Sequence, residues 1–225
     1  MRITLLPASA MLAAALLLAG CAAGWNSLWQ LSVFKEAAVE GDYVTIADRD
    51  MVCVEGDPGC NQAHLIKGDA CFRLALADVT PGDPGRWDCA IRHLAIGIDM
   101  TAGSMTELGP IEPYYENLLE ALRRRLDLSR SWAESAAFLA QLESRAQAFR
   151  NRFPTAPAGY YYLASARLPD ALDTADQRPD EACRTLTDLQ ILLGRAPIER
   201  GRFEAGFRQI EAEIRAAKST VRGCA

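Results

Sequence analysis

Two short motifs hold the residues best suited to chemistry. Cys60-x3-His64 and Cys89-x3-His93 each set a thiol and an imidazole one helical turn apart. Both histidines of the chain fall in these motifs. Two thiolates with two imidazoles suit tetrahedral zinc, so Cys60, His64, Cys89 and His93 form a candidate zinc set. Their spacing follows no standard zinc finger, and disulfide formation competes for the same sulfurs. On that second reading His64 and His93 are structural side chains, on helix surfaces or partly buried. Little else converges on catalysis. The chain has no G-x-S-x-G, no H-E-x-x-H and no glycine-rich phosphate loop, and Ser104 has no base near it in sequence. The expectation is a protein without catalytic residues and without a cofactor.

Charge narrows the partners. The 225 residues carry 24 Lys and Arg against 29 Asp and Glu, a net charge of −5. Nucleic-acid binding needs clustered cations to neutralise phosphates, so an acidic chain argues against it. The one basic run, Arg123-Arg124-Arg125, lies in an amphipathic stretch. Glu120 with Arg124 and Arg123 with Asp127 stand at i,i+4, as on a solvated helix face.

The first twenty residues have the layout of a secretory signal, with Arg2 ahead of an apolar run from Leu5 to Leu18. That run is too short to span a bilayer comfortably. It closes in Leu18-Ala19-Gly20-Cys21, which resembles a bacterial lipobox. The resemblance implies cleavage after residue 20, acylation of Cys21 and a lipidated tether over 21–27. Ala22 in place of Asp implies sorting to the outer membrane, with the chain anchored on the periplasmic face. An exported chain meets an oxidising compartment. With Cys21 acylated, six cysteines remain: Cys53, Cys60, Cys71, Cys89, Cys183 and Cys224. Six permit fifteen connectivities. Cys53 and Cys60 flank the turn 55–59, and Cys71 and Cys89 flank the loop 78–86. Hairpin geometry therefore favours Cys53–Cys60 and Cys71–Cys89, leaving Cys183–Cys224. Pairing across successive helices, Cys53–Cys71 with Cys60–Cys89, is the alternative.

Apolar residues recur at spacings of three and four almost throughout, the period of an amphipathic helix. Leu28, Leu31, Phe34 and Ala38 make a first helix, and Gly41-Asp42 turns it into a second that begins at Tyr43. Further helices are expected over 62–77, 87–100, about 115–126, 132–153, 160–168, 180–193 and 202–221. In the sixth, Trp132, Ala136, Leu139, Leu142, Ala146, Phe149 and Phe153 form the stripe. Pro169 is expected to close or kink the helix from Tyr160. No stretch alternates with period two for long, so no sheet is expected.

Helical hairpins in series suggest an α-solenoid. Gly41-Asp42-Tyr43 with Ala47, Gly68, Trp87 with Ala90 and Leu94, Phe153-Pro154, and Tyr160-Tyr161-Tyr162-Leu163-Ala164 resemble pieces of degenerate tetratricopeptide repeats. Cys71 departs from the usual aromatic, and the loops at 78–86 and 101–113 break the period. The resemblance covers 28–200, with an irregular bundle of the same helices as the alternative, and implies an all-α repeat domain, set at 28–225. Its antiparallel hairpins would stack as a short solenoid under a C-terminal capping helix. It further implies a concave face that binds extended peptides, where Tyr114, Tyr115, Tyr160, Tyr161 and Tyr162 are the groove candidates. Core packing accounts equally well for at least one tyrosine of each set. The expected role is a protein-binding scaffold or assembly factor in an envelope complex for secretion, pilus assembly or polysaccharide export. The alternative is an envelope metal- or redox-responsive module built on the Cys/His cluster at 53–93.

Overall fold

A computed structural model describes residues 26–54, 56–77 and 84–224. The leader, Cys21, most of the tether and the centre of the loop after residue 77 lie outside the described residues. The described chain is all-α, in two compact units, Met1–Leu118 and Leu119–Ala225. No described helix is long and apolar enough to cross a membrane.

In the first unit, α1 (26–40) and the short α2 (Tyr43–Asp48) lead through an extended stretch to α3 (Cys60–Ala77) and α4 (Gly85–Asp99). Asp42 caps α2 by accepting from Thr45 N at 3.1 Å. Residues 62–68 of α3 are all buried, as expected of a helix covered on every side. α2 packs on it from one side and α4 from another.

The α3–α4 contact is set by two glycines. A Cβ on Gly68 would lie 2.7 Å from the backbone nitrogen of Leu94. One on Gly97 would lie 2.9 Å from the carbonyl oxygen of Asn61. Neither position has room for a methyl group, so the helices run antiparallel at close range. The same register pairs Asn61 with Thr101 at 3.2 Å, Cys71 with Cys89, and Phe72 with Trp87 edge to face.

α1 buries only part of the stripe expected of it. Leu28 is exposed, and the buried face is Ser27, Gln30, Leu31, Phe34 and Ala37. The helix is rotated because its two polar residues hold the loop that follows α2, as described below.

The loop at 101–113 contains a small hairpin, a correction to the expectation of no sheet. Strand β1 (Met105–Thr106) pairs antiparallel with β2 (Gly109–Pro110). Thr106 Oγ1 donates to Gly109 O and accepts from Leu108 N, which explains a two-residue ladder without an alternating sequence.

Helix α5 (Glu112–Asp127) begins in the first unit and ends in the second. The second unit continues with α6 (Trp132–Arg152), α7 (Pro157–Asp173), α8 (Pro179–Gly194), a 3-10 turn (Gly201–Phe203) and α9 (Glu204–Thr220). Ser131 caps α6 by accepting from Glu134 N. α7 is the central helix and packs against α6, α8 and α9. It starts with Pro157 in its first turn, where a missing N–H costs nothing. It runs on through Pro169 to Asp173, so this proline does not end the helix. The stripe Phe203, Phe207, Ile210, Ile214, Ala217 and Val221 is buried along its whole length, as the spacing predicts. Cys183 of α8 and Cys224 lie at disulfide distance, with Cα atoms 5.3 Å apart, beyond the end of α9.

Substituting alanine for Gly68 or Gly97 forces α3 and α4 apart. Each change should destabilise the protein by about 1–3 kcal/mol in urea unfolding, the usual cost of overpacking. Gly194→Ala meets no atom within 4 Å and should leave stability within about 0.5 kcal/mol of the parent.

Candidate functional site

The extended stretch after α2 runs along the core of the first unit and is held by polar side chains. Gln30 brackets it, donating from Nε2 to Asp50 O at 2.6 Å and accepting from Val52 N at 3.0 Å. Ser27 donates to Asp57 Oδ2 at 2.5 Å, and the same oxygen accepts from Val54 N at 3.0 Å. Lys67, buried on α3, donates from Nζ to Arg49 O. Burial lowers the Lys67 pKa, although Asp50 and Asp48 oppose the shift. The stretch is also at disulfide distance from the start of α3, with the Cα atoms of Cys53 and Cys60 5.4 Å apart.

His64 and His93 meet at this place. Their Nδ1 atoms are 2.9 Å apart, so one ring N–H donates to the nitrogen of the other. Both residues are buried, at 8% and 9% exposure. Burial lowers the pKa of His64, helped by the charge of Lys67. Burial and then the proximity of His64 push His93 down to about 3. Both imidazoles are therefore neutral near pH 7 and keep lone pairs for a hydrogen bond or a metal. Sγ of Cys53, Sγ of Cys60 and a ring nitrogen of His64 all lie within 4.8 Å of one another.

This geometry corrects the ligand set expected from spacing. Cys89 pairs with Cys71, Cα to Cα 5.9 Å, and belongs to the α3–α4 contact. Cys53 takes its place beside Cys60 and His64. The structure thus has the two pairs favoured by hairpin geometry, Cys53–Cys60 and Cys71–Cys89, and the remaining pair Cys183–Cys224.

The tyrosines divide. Tyr114 lines a cavity of about 460 Å³ in the first unit with Lys35, Tyr43, Ile46, Asp69 and Leu108. Tyr115 is buried in the core. Tyr162 is buried too, edge to face with Phe203, and its hydroxyl donates to Glu120 at 2.9 Å. Tyr161 lies across Gly206 and stacks on Phe203 and Phe207. Tyr160 lies under the Arg150 guanidinium and donates to Pro154 O. The run Tyr160-Tyr161-Tyr162 thus ties α7 to its neighbours.

A cleft of the second unit lies across α6, α7 and α8. It has a volume of about 590 Å³, with Leu139, Ala166, Pro169 and Leu189 among its lining residues. Trp132 stands in it at 85% exposure, although its spacing placed it on the buried stripe of α6. Asp170, Asp173 and Asp188 also line the cleft, and Arg167 there is paired with Glu143 at 2.7 Å. Sequence reasoning missed this cleft because its residues come from three helices. The available signal was a tryptophan at the first position of a helix, where a stripe begins to leave the core.

The basic run is only partly a solvated face. Arg123 and Arg124 both pair with Glu120, at 2.9 and 2.7 Å, and Arg123 reaches Asp127 at 3.4 Å. Arg125 is instead buried, pairs with Glu134 and covers the Phe138 ring. Burial alone would raise the Glu120 pKa, but hydrogen bonds from Arg123, Arg124 and Tyr162 outweigh it and hold the carboxyl below its ordinary value.

No protein-family model matches this chain, and no curated protein or solved structure matches it either.

Glu120→Gln should cost about 1–3 kcal/mol at pH 7, the range for hydrogen bonds between charged groups. The parent's advantage should be constant above Glu120's ordinary value of 4.5 and shrink as pH falls through the depressed folded value. Urea unfolding at pH 7 and pH 3 measures both; equal losses at the two pH values would contradict the assignment.

Proposed function

We propose that this chain is an outer-membrane lipoprotein whose helical domain holds a partner protein at the envelope, as a scaffold or assembly factor without catalysis. The observation that carries the reading is the cleft across α6, α7 and α8. It combines an exposed tryptophan, an aliphatic floor and a carboxylate rim. A single exposed apolar residue is ordinary on a protein surface. A tryptophan at the edge of an open cleft offers a large contact area at small entropic cost, the usual property of a binding hot spot. Asp170, Asp173 and Asp188 favour a segment with Lys or Arg next to an apolar anchor. Antiparallel helices packed in series supply a rigid support, in keeping with the tetratricopeptide-like reading of the sequence.

The lipid anchor rests on Leu18-Ala19-Gly20-Cys21 alone. Acyl chains contribute about 0.8 kcal/mol per buried CH₂, so more than one chain holds a protein at a bilayer in practice. Cys21→Ser should move the protein from the membrane fraction to the soluble or unprocessed pool, read by fractionation and by loss of labelled fatty acid. A variant that stays acylated would remove the anchor from the reading.

A photo-crosslinking side chain at position 132, in the anchored protein in its own envelope, should give a discrete adduct. Replacing Asp170, Asp173 and Asp188 with lysine should suppress that adduct at least about tenfold, while a crosslinker at Ile198, outside the cleft, should not form it. Adducts indifferent to the three substitutions would sink the cleft as the binding face.

A further inference from the structure

Four hydrogen bonds that involve no sulfur hold the chain between residues 49 and 57. Gln30 supplies two, to Asp50 and from Val52; Ser27 binds Asp57, and Lys67 binds the Arg49 carbonyl. Opening the bridge between Cys53 and Cys60 therefore leaves both thiols close to His64, whose ring meets His93. We propose that the Cys53–Cys60 bridge is the oxidised form of a reduction-gated metal site. Cys53, Cys60 and His64 are its ligands, His93 beside His64 is the candidate fourth, and the bound ion is a zinc-like divalent cation.

The geometry is near what the metal needs. Zn–N and Zn–S bonds of about 2.0–2.3 Å put tetrahedral ligand atoms roughly 3.3–3.8 Å apart. The two sulfurs and a His64 ring nitrogen lie within 4.8 Å of one another, so once the bridge opens the thiols part from each other and the nitrogen closes by at most about 1 Å. The Nδ1 atoms of His64 and His93, at 2.9 Å, need to part by only a few tenths. Charge also fits. A divalent cation with two thiolates and two neutral imidazoles has no net charge, which limits the penalty of burying it. All four positions are filled by protein, as in structural rather than catalytic zinc sites.

The chemistry balances in two steps. A dithiol reduces the bridge by exchange, closing to its own disulfide while Cys53 and Cys60 become thiols. The cation then displaces both thiol protons to water. The N–H shared between the imidazoles moves to the second nitrogen of the donating ring, which frees its lone pair for the metal. Reoxidation reverses the sequence and releases the cation. This site lies in the first unit and owes nothing to the cleft of the second.

Co(II) is the probe, added without oxygen to the full mature chain after reduction by a phosphine, which itself ends as the oxide. One equivalent should bind with the ligand-field bands of tetrahedral cobalt and thiolate charge transfer, and Zn(II) should displace it. The oxidised chain should bind at least about 100-fold more weakly, beyond the usual effect of losing an outer-shell partner. His93→Gln should weaken binding by a similar factor, whereas joint replacement of Cys71 and Cys89 by serine should leave the spectrum intact. Because a reductant also opens the other bridges, Cys53→Ser supplies the second arm. It frees Cys60 without any reductant, and should take up Co(II) through the three remaining ligands. No cobalt in either the reduced parent or Cys53→Ser overturns the proposal. So does a spectrum that His93→Gln leaves unchanged, or equal binding by the oxidised chain.

Discussion

α3 passes α4 so closely at Gly68 and Gly97 that a methyl group at either position would strike backbone. Helices this near cannot slide past one another, because each glycine sits under a leucine of the other helix: Leu94 over Gly68, and Leu65 over Gly97. That single register decides what the side chains around it can meet. It brings Cys71 to Cys89 and sets the two imidazoles nitrogen to nitrogen. A step of one residue along either helix would turn these groups about 100° away. The chemistry of the first unit thus depends on the absence of two side chains.

Each unit also buries polar groups and engages them in hydrogen bonds and ion pairs. In the first, Gln30 and Lys67 reach the backbone of a stretch that belongs to no helix or strand. In the second, Glu120 accepts from two arginines and a tyrosine, and Arg125 lies buried against Phe138. A buried donor or acceptor left alone costs about 1–3 kcal/mol, so each such group makes its geometry hard to vary. They explain why α1 turns Ser27 and Gln30 inward although Leu28 is the more apolar residue. The gain from burying one leucine is offset by fixing a loop whose backbone groups would otherwise compete for water.

The two surfaces assigned a role are of different kinds. The cleft of the second unit is open, with a carboxylate rim and an exposed tryptophan, and suits a protein segment of opposite charge. The Cys/His cluster of the first unit is closed and neutral, and suits a small cation. An acyl anchor at Cys21 would keep both at one membrane, where partner and redox state are set by the same compartment. The binding reading and the metal reading are therefore compatible, since they use different residues in different units.

Much of the helical layout was legible in the sequence, because amphipathic helices repeat at a spacing that short windows reveal. The stripe from Phe203 to Val221 and the series Ala182, Leu186, Leu189 and Leu193 are buried as their periods require. The favoured cysteine pairs were legible for a related reason: in a hairpin, distance from the turn approximates distance in space. Where the period is incomplete, sequence misled. Trp132 sits at the start of its helix, beyond the last packed turn, and is exposed. Pro169 lacks an N–H, yet α7 continues through it to Asp173. What the amino-acid order determined alone was the helices, most of their approximate ends and the acidic charge. Only tertiary structure decided which groups meet. His64 and His93 are twenty-nine positions apart, Cys53 and not Cys89 lies beside Cys60 and His64, and the cleft draws on three helices. The reason is physical: local spacing fixes the face of a helix, but the rotation and register of one helix on another depend on small residues and buried polar contacts that have no period.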